Sequence, residues 1–156
     1  MAGKIQAEIK QQRPFRLREE EAFVNLLRTA DVLLQGVVET LKPQGLSPTQ
    51  YNVLRILRGA EPKGLACREI SERMITRDPD VTRLLDRLED RGLVARTRSR
   101  ADRRVITTRI TDEGLRILEK LEAPIGDLHI RQLGHLKAAQ LRTLIELLEQ
   151  ARQSAR

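Results

Sequence analysis

The stretch DPDVTRLLDRLEDRGLV, residues 78–94, decides the fold of this chain. Its apolar residues at positions 81, 84, 85 and 88 recur at the spacing of one helix face. Asp78-Pro79-Asp80 predicts the helix start, because an aspartate caps, a proline presets φ and a second acid favours the positive end of the helix dipole. Gly92 predicts a left-handed helix end. The stretch is therefore predicted to form a sharply bounded amphipathic helix over residues 78–91.

A second short helix precedes this one. The segment REISERM, residues 68–74, places Ile70 and Met74 on one face, and a tight connection, ITR, separates it from Asp78. Two short helices joined by about three residues, the second amphipathic, indicate a helix-turn-helix. Upstream, Ser47 followed by Pro48 predicts the cap and first position of a further helix.

A basic hairpin is predicted downstream. The segments LVARTRS and RVITTRIT, residues 93–99 and 104–111, alternate and are rich in β-branched residues, which makes the unit a winged helix. Six arginines between positions 96 and 109 face one acid, a net formal charge of +5. A narrow minor groove attracts arginines at a loop tip because its potential is most negative there. We therefore expect the wing to contact DNA through Arg96, Arg98, Arg100, Arg103 and Arg104.

The acid among these arginines is Asp102. Surrounded by like charges, it is expected to pair with Arg104 or a neighbour and to hold the hairpin in a shape that directs the other arginines toward DNA. A solvated charge run is the alternative interpretation of the whole stretch, and the helix-turn-helix directly upstream favours DNA binding.

The outward face of the 78–91 helix supplies a second set of candidate DNA contacts. Arginine can bond a guanine edge bidentately and threonine can touch a thymine methyl group or a phosphate, so Thr82 and Arg83 are the candidates for base contact. The alternative for Arg83 is a solvated ion pair with Asp86. Phosphate contacts, which position a protein without specifying sequence, are expected nearby. The full set is Arg73, Arg77, Pro79, Asp80, Thr82, Arg83 and Arg87.

Two further groups of residues have competing interpretations. Ser47, Thr49 and Gln50 begin a helix whose N-terminus is a natural anion site, so they are candidates for a phosphate contact, while plain capping explains Ser47 equally well. Cys67 opens the first helix of the helix-turn-helix, where a redox role is conceivable, but a small buried core residue is the favoured interpretation.

Long helices are predicted on both sides of this unit. Between residues 19 and 41 apolar residues follow one helix face. Thr111 is the predicted N-cap of the first of two more helical segments, with a kink or restart expected at Pro124 and with Leu144 and Ile145 expected to point inward on the last segment. So small a domain cannot cover these faces, which predicts a homodimer with a helical dimerisation region. We expect an arm or short helix over 1–18, dimerisation helices over 19–46 and 111–156, and the DNA-binding domain over 47–110. The fold class is mainly α with a small β-wing.

Composition narrows the function further. The chain has 156 residues, a formal net charge of +7 and an isoelectric point near 10.3, which favours a polyanion partner, nucleic acid before a membrane surface. One cysteine, no signal-peptide run and no run of about 20 apolar residues predict a cytoplasmic protein. His129 and His135 lack companion ligands, and no catalytic constellation occurs. We expect neither an enzyme nor a metal or cofactor site.

The order of these elements resembles the MarR family, the multiple-antibiotic-resistance regulators of bacteria and archaea. The matching stretches are LSPTQYNVLRIL, EISERM, DVTRLLDRLEDRGLVAR, DRRV and ITDEG, in family order. The resemblance implies a dimeric winged-helix transcription factor, usually a repressor, that binds a pseudo-palindromic operator and is released by a small ligand. It also implies a recognition helix at 78–91, a wing at about 94–110, and an acid-x-arginine wing motif at Asp102 and Arg104.

This chain departs from the family pattern in two places. Its recognition helix opens with Asp78-Pro79-Asp80, where small hydroxyl residues and lysine are more usual, and the phenolic-ligand residues of some members have no clear counterpart. Two other functions remain open: a regulator switched by oxidation of Cys67, and a winged-helix module that binds RNA or another protein.

Overall fold

The computed structural model describes residues 3–153, which are mainly helical with one small antiparallel sheet. The predicted fold class is confirmed. Residues 1–2 and 154–156, at the ends of the predicted 1–18 and 111–156 segments, lie outside the described residues. The elements in chain order are α1 (Lys4–Glu8), α2 (Arg18–Leu41), a 3₁₀ turn (Lys42–Gln44), α3 (Pro48–Gly59), β1 (Leu65–Ala66), α4 (Cys67–Arg73), α5 (Val81–Asp90), β2 (Val94–Arg98), β3 (Ile106–Ile110), α6 (Asp112–Leu133) and α7 (Ala138–Gln153).

The predicted hairpin forms, and a third strand joins it. Strand β2 pairs antiparallel with β3 from Val94 opposite Ile110 to Arg98 opposite Ile106. Strand β1 pairs with the other edge of β3, with Leu65 opposite Thr108. This third strand was not predicted, since two residues cannot show a period and their partner is distant in sequence. The β2–β3 loop spans residues 99–105, longer than residues 100–103, the four that the two predicted segments leave between them.

The core sits under the helix-turn-helix and is built from aliphatic side chains. The inner face of α5 is buried, as its spacing predicts, and each such leucine contributes about 2 kcal/mol through burial. Helix α6 closes the core from the C-terminal side. The most deeply buried side chains of the whole core include Leu54, Leu57, Ile70, Leu85, Leu88, Leu93 and Leu118.

Helix α5 begins later than predicted. Asp80 is its N-cap, accepting a hydrogen bond at Oδ1 from the backbone N–H of Arg83 at 3.0 Å. Asp78 lies outside the helix, where its Oδ1 accepts from the N–H of Asp80 at 2.8 Å. Both aspartates satisfy the capping rule. Because Asp80 is the one that caps the helix, Asp78 and Pro79 lie in the segment that precedes it. Gly92 has φ +71°, which confirms the predicted left-handed end.

Helices α2 and α6 pack closely against each other. The Gln132 amide donates a hydrogen bond to the Leu33 carbonyl at 2.9 Å, and a Cβ added at Gly36 would lie 2.5 Å from the Gln132 Nε2. Thr111 caps α6, as predicted, by accepting from the N–H of Gly114 at 3.2 Å. The helix runs without interruption through Pro124, so the restart considered at that residue does not occur.

Much of the apolar surface on α2 and α7 is uncovered within one chain. Phe23 on α2 is 60% exposed and Leu147 on α7 is 57% exposed. The prediction that Leu144 and Ile145 point inward is wrong for the isolated chain, because α7 buries no residue there. At the N-terminus α1 anchors the chain through Ile5, which is 3% exposed. Among residues 3–153, no helix combines the length and hydropathy needed to cross a membrane.

Candidate nucleic-acid interface

The outward face of α5 presents a threonine and two arginines. Thr82, Arg83 and Arg87 are exposed, while the opposite face of the same helix is buried and fixes its orientation. Within residues 3–153 neither arginine forms an ion pair, so the alternative of an Arg83–Asp86 pair is not what the structure contains. The two guanidinium groups are therefore available to an external partner.

An open groove of about 770 Å³ lies between α5 and the start of α3. Arg83 and Arg87 line one side, and Ser47, Thr49 and Gln50 line the other. Two sets of residues that sequence analysis proposed separately thus share one surface. Asp78 and Asp80 also line the groove, which places acids beside these arginines.

Ser47 and Gln50 form a reciprocal capping box. The Ser47 hydroxyl accepts a hydrogen bond from the N–H of Gln50 at 3.2 Å, and Gln50 Oε1 accepts one from the N–H of Ser47 at 3.0 Å. The Thr49 hydroxyl lies 3.0 Å from the Ser47 hydroxyl. Capping accounts for Ser47 and Gln50 in full. A phosphate contact by these residues stays a prediction.

The turn of the helix-turn-helix is held by a residue that sequence analysis missed. Asn52 Oδ1 accepts a hydrogen bond from the backbone N–H of Ile75 at 2.9 Å, tying α3 to the turn. Arg73, at the end of α4, and Arg77, in the turn, are both exposed. The only signal for Asn52 was a polar residue among the apolar positions of a helix.

A tight turn forms the tip of the wing. The Asp102 carbonyl accepts from the N–H of Val105 at 3.0 Å, so Arg103 and Arg104 are the two central residues of a β-turn. Asp102 Oδ1 accepts from the N–H of Arg104 at 3.0 Å. The expected partner is therefore found, but through its backbone amide rather than its guanidinium. This is the Asx-turn geometry that aspartate favours.

Ser99 supports the same turn and was not predicted. Its hydroxyl accepts hydrogen bonds from the N–H groups of Ala101 at 3.2 Å and Asp102 at 3.3 Å. Its own N–H donates to the Val105 carbonyl at 2.9 Å. Four wing arginines are exposed around this scaffold and form no ion pair with residues 3–153: Arg98, Arg100, Arg103 and Arg104.

Arg96 differs from the other wing arginines. It lies in β2, and its Nη2 is 2.5 Å from Glu89 Oε2 and 2.6 Å from Asp86 Oδ1, both on α5. Hydrogen bonding to Arg96 lowers the pKa of Glu89 below its ordinary value, and hydrogen bonding to Glu89 raises the pKa of Arg96. The guanidinium is thus already paired inside the chain, and a DNA contact by Arg96 stays a prediction. Sequence analysis could not see this, because the pairing depends on how β2 lies beside α5.

Arg91 joins α5 to the loop that follows α2. Its Nη1 donates to the Gly45 carbonyl at 2.7 Å and its Nη2 to the Gln44 carbonyl at 2.8 Å. Gly45 has φ +63°, a conformation that favours glycine. No pattern in the sequence distinguishes Arg91 from a surface arginine.

Cys67 is half-buried at the first residue of α4. Its Sγ lies 3.9 Å from the Thr82 hydroxyl. No cluster of three or more potential metal ligands occurs among residues 3–153.

The outer face of α5, the groove beside it and the wing tip together offer arginines, hydroxyl groups and backbone amides. This chemistry is suited to phosphates and base edges.

Comparison with known proteins identifies the fold and the family. A sequence model of the MarR family matches residues 46–106. The repressor MdtR from Bacillus subtilis is 42% identical over 78 residues, 50% of this chain and 49% of its own length, so that match spans about half of each protein. The crystal structure of a MarR transcription factor from Planctomyces limnophilus is 46% identical in sequence and superposes with a TM-score of 0.68. The match covers 88% of this chain and 98% of the Planctomyces chain.

A further solved structure contains DNA. A cysteine-to-serine variant of MarR from Escherichia coli, complexed with operator DNA, is 26% identical. It covers 88% of this chain with 98% of its own and superposes with a TM-score of 0.77. With the family match and the near full-length likeness to the Planctomyces protein, the winged helix is placed in a known group. The chain belongs to the MarR family of winged-helix transcriptional regulators.

Proposed function

We propose that this chain is a homodimeric repressor that binds a pseudo-palindromic duplex operator. Each subunit lays α5 in a major groove and extends the turn at Arg103 and Arg104 to the adjacent minor groove. Two half-sites then lie about one helical turn, roughly 10 bp, apart on one face of the duplex. A DNA-binding repressor of this kind works in the cytoplasm and needs no catalytic residue.

The observation that carries the proposal is the orientation of α5. Its apolar face is buried against the core, which turns Thr82, Arg83 and Arg87 outward without ion-pair partners among the described residues. A helix with arginines on its outer face suits major-groove recognition, because arginine bonds guanine O6 and N7 bidentately. The exposed wing arginines add a sequence-independent contact beside it.

Selection from a random duplex pool tests this function. The wild-type chain is expected to enrich a two-fold symmetric sequence with half-sites about 10 bp apart. Binding of that sequence should exceed binding of an RNA duplex of the same sequence, because the deep, narrow major groove of A-form RNA does not admit a helix. Equal affinity for both duplexes, or no enrichment, would favour an RNA-binding or protein-binding module instead.

The salt dependence of binding tests the wing. Arg103→Ala is expected to weaken binding and to reduce the slope of log K against log salt concentration by about 0.9, since one phosphate contact is lost. Arg116→Ala is the matched control, because Arg116 lies on α6 in an ion pair with Glu113. An unchanged slope in Arg103→Ala would leave that arginine in solvent.

The dimer is supported by the uncovered apolar faces of α2 and α7. Leu147→Asp places a charge on such a face and is expected to yield monomers of about 17.8 kDa by sedimentation, where the wild type has twice that mass. Ile75→Asp is the control, because Ile75 is also exposed but lies in the turn of the helix-turn-helix. A monomeric wild type would contradict the dimer.

We also propose that a small ligand releases the protein from its operator. A second cavity of about 460 Å³ lies between α2, α3 and α6 and is lined mostly by apolar groups, with Arg55 and His129 at its wall. The Arg55 guanidinium lies 5.8 Å from the centre of the Tyr51 ring. The size suits a small molecule, and Arg55 favours one that carries an anionic group.

Thermal unfolding with a panel of small aromatic carboxylates tests this assignment. A compound that binds should raise Tm and weaken binding to the selected duplex, and Arg55→Leu should abolish both effects. If Arg55→Leu responds to the compound as the wild type does, the ligand binds elsewhere.

A further inference from the structure

The recognition helix carries more acids than bases. Helix α5 contains Asp86, Glu89 and Asp90 against Arg83 and Arg87. A helix that enters the major groove passes between two phosphate chains, each with one negative charge per nucleotide. Unpaired carboxylates on that helix would oppose its approach. The basic charge that offsets them must therefore come from another element.

Strand β2 supplies that charge through Arg96. The guanidinium lies between Asp86 and Glu89, with Nη2 within 2.6 Å of an oxygen on each and Nε 2.9 Å from Glu89 Oε2. The Arg96 backbone N–H also donates to Glu89 Oε1 at 3.1 Å. The side chain is 24% exposed, less than either carboxylate. We call Asp86 and Glu89 the acidic edge of α5. Four contacts thus join this edge to Arg96 in strand β2.

We propose that Arg96 is a positioning residue that offsets one of the two negative charges on the acidic edge of α5 and so lowers the repulsion between the helix and the DNA phosphates. The inference rests on the proposed function, because it assumes that α5 enters the groove. It assigns Arg96 a role different from that of the exposed wing arginines. Those bind the nucleic acid, whereas Arg96 binds the protein surface that would otherwise repel it.

Two other roles for Arg96 would give different results. If Arg96 contacted DNA directly, any replacement that removes its charge would weaken binding, whatever stands at Glu89. If its ion pairs served only to tether the wing to α5, breaking the pair from either side would weaken binding. The charge-offset role alone predicts that removing an acid compensates for removing the arginine.

The experiment compares Arg96→Gln with the charge-matched pair Glu89→Gln/Arg96→Gln, on the labelled duplex selected by the wild type. Arg96→Gln is expected to bind about tenfold more weakly, because Asp86 and Glu89 are left facing the phosphates. The double variant has the net charge of the wild type and is expected to bind within about threefold of it. Arg116→Gln, which removes a charge from α6, controls for the change in total charge.

The outcomes separate this inference from the function on which it rests. Unchanged binding by Arg96→Gln, or a double variant as weak as the single one, would overturn it while the wild type still binds its selected duplex. A wild type that selects no duplex would overturn the proposed function instead. If Arg96→Gln proves unfolded in a thermal melt, Glu89→Gln alone distinguishes the two roles. The charge-offset role predicts that Glu89→Gln binds DNA more tightly than the wild type, whereas a tether predicts that it binds more weakly.

Discussion

Replacing Asp102 separates the charge of the wing tip from its shape. Asp102→Ala and Asp102→Asn each remove one negative charge from a strongly basic loop. Only the alanine variant also removes the acceptor for the Arg104 N–H, which lies 3.0 Å from Oδ1. An asparagine oxygen can accept the same bond, since Asn and Asp both form Asx-turns. The two variants therefore share their electrostatics and differ in the turn.

The two effects have different sizes. Losing a carboxylate about 10 Å from a phosphate in water favours binding by about 0.4 kcal/mol, or roughly twofold, before salt screening. Losing the turn hydrogen bond costs about 1 kcal/mol, or roughly fivefold in the fraction of wings that hold the bound shape. Asp102→Asn should bind up to twofold more tightly than the wild type, and Asp102→Ala about fivefold more weakly than Asp102→Asn.

Fluorescence anisotropy with the selected duplex measures all three proteins at one salt concentration. Far-UV circular dichroism provides the control that the core is unchanged. Equal affinities for Asp102→Ala and Asp102→Asn would refute the reasoning, because the turn contact would then contribute nothing to binding. Binding by Asp102→Ala that is tighter than wild type would show that charge outweighs shape at this tip.

Three further predictions concern stability. Leu85 lies on the buried face of α5 and is 1% exposed. Leu85→Ala should lower the free energy of unfolding, measured by urea titration, by about 2–5 kcal/mol, and a loss under about 1 kcal/mol would contradict the described packing. Asp80→Ala removes the cap of α5 and should cost about 1 kcal/mol, whereas Asp80→Asn should cost far less. The lowered pKa of Glu89 stabilises the folded chain above about pH 4.5, and this contribution of at most about 1 kcal/mol is lost as pH falls through the folded-state pKa. The stability difference between wild type and Glu89→Gln should therefore shrink as pH falls below about 4.5, and a constant difference would count against the Glu89–Arg96 pair.

The elements predicted correctly are those whose signal is local. The inner face of α5, the left-handed Gly92 and the cap at Thr111 depend on neighbours within a few residues, so periodicity and capping rules identify them. The start of α5 was misplaced because Asp78 and Asp80 both satisfy the capping rule. Only the hydrogen bond from the Arg83 N–H distinguishes the two.

What could not be predicted depends on contacts distant in sequence. Strand β1 exists because its two residues meet the edge of β3, and no two-residue segment carries a signal of its own. Arg96 belongs to the same basic stretch as the wing arginines, and Arg91 ends the helix before it, yet both differ from exposed arginines only through partners elsewhere in the chain. Charge counting grouped Arg96 with the exposed wing arginines, and only the geometry shows that it pairs with Glu89.

The Arg91 contacts have a mechanical consequence for a dimer of this chain. Because Arg91 fastens α5 to the loop after α2, a change in the inclination of α2 would reach α5 through these two hydrogen bonds. Helix α2 has 24 residues, about 36 Å of length, so a tilt of about 5° about its far end moves its C-terminus by about 3 Å. That displacement is close to the roughly 3.4 Å rise of one base pair. In each subunit of the proposed dimer, α2 would then act as a lever arm whose small rotation moves α5 out of register with its proposed half-site.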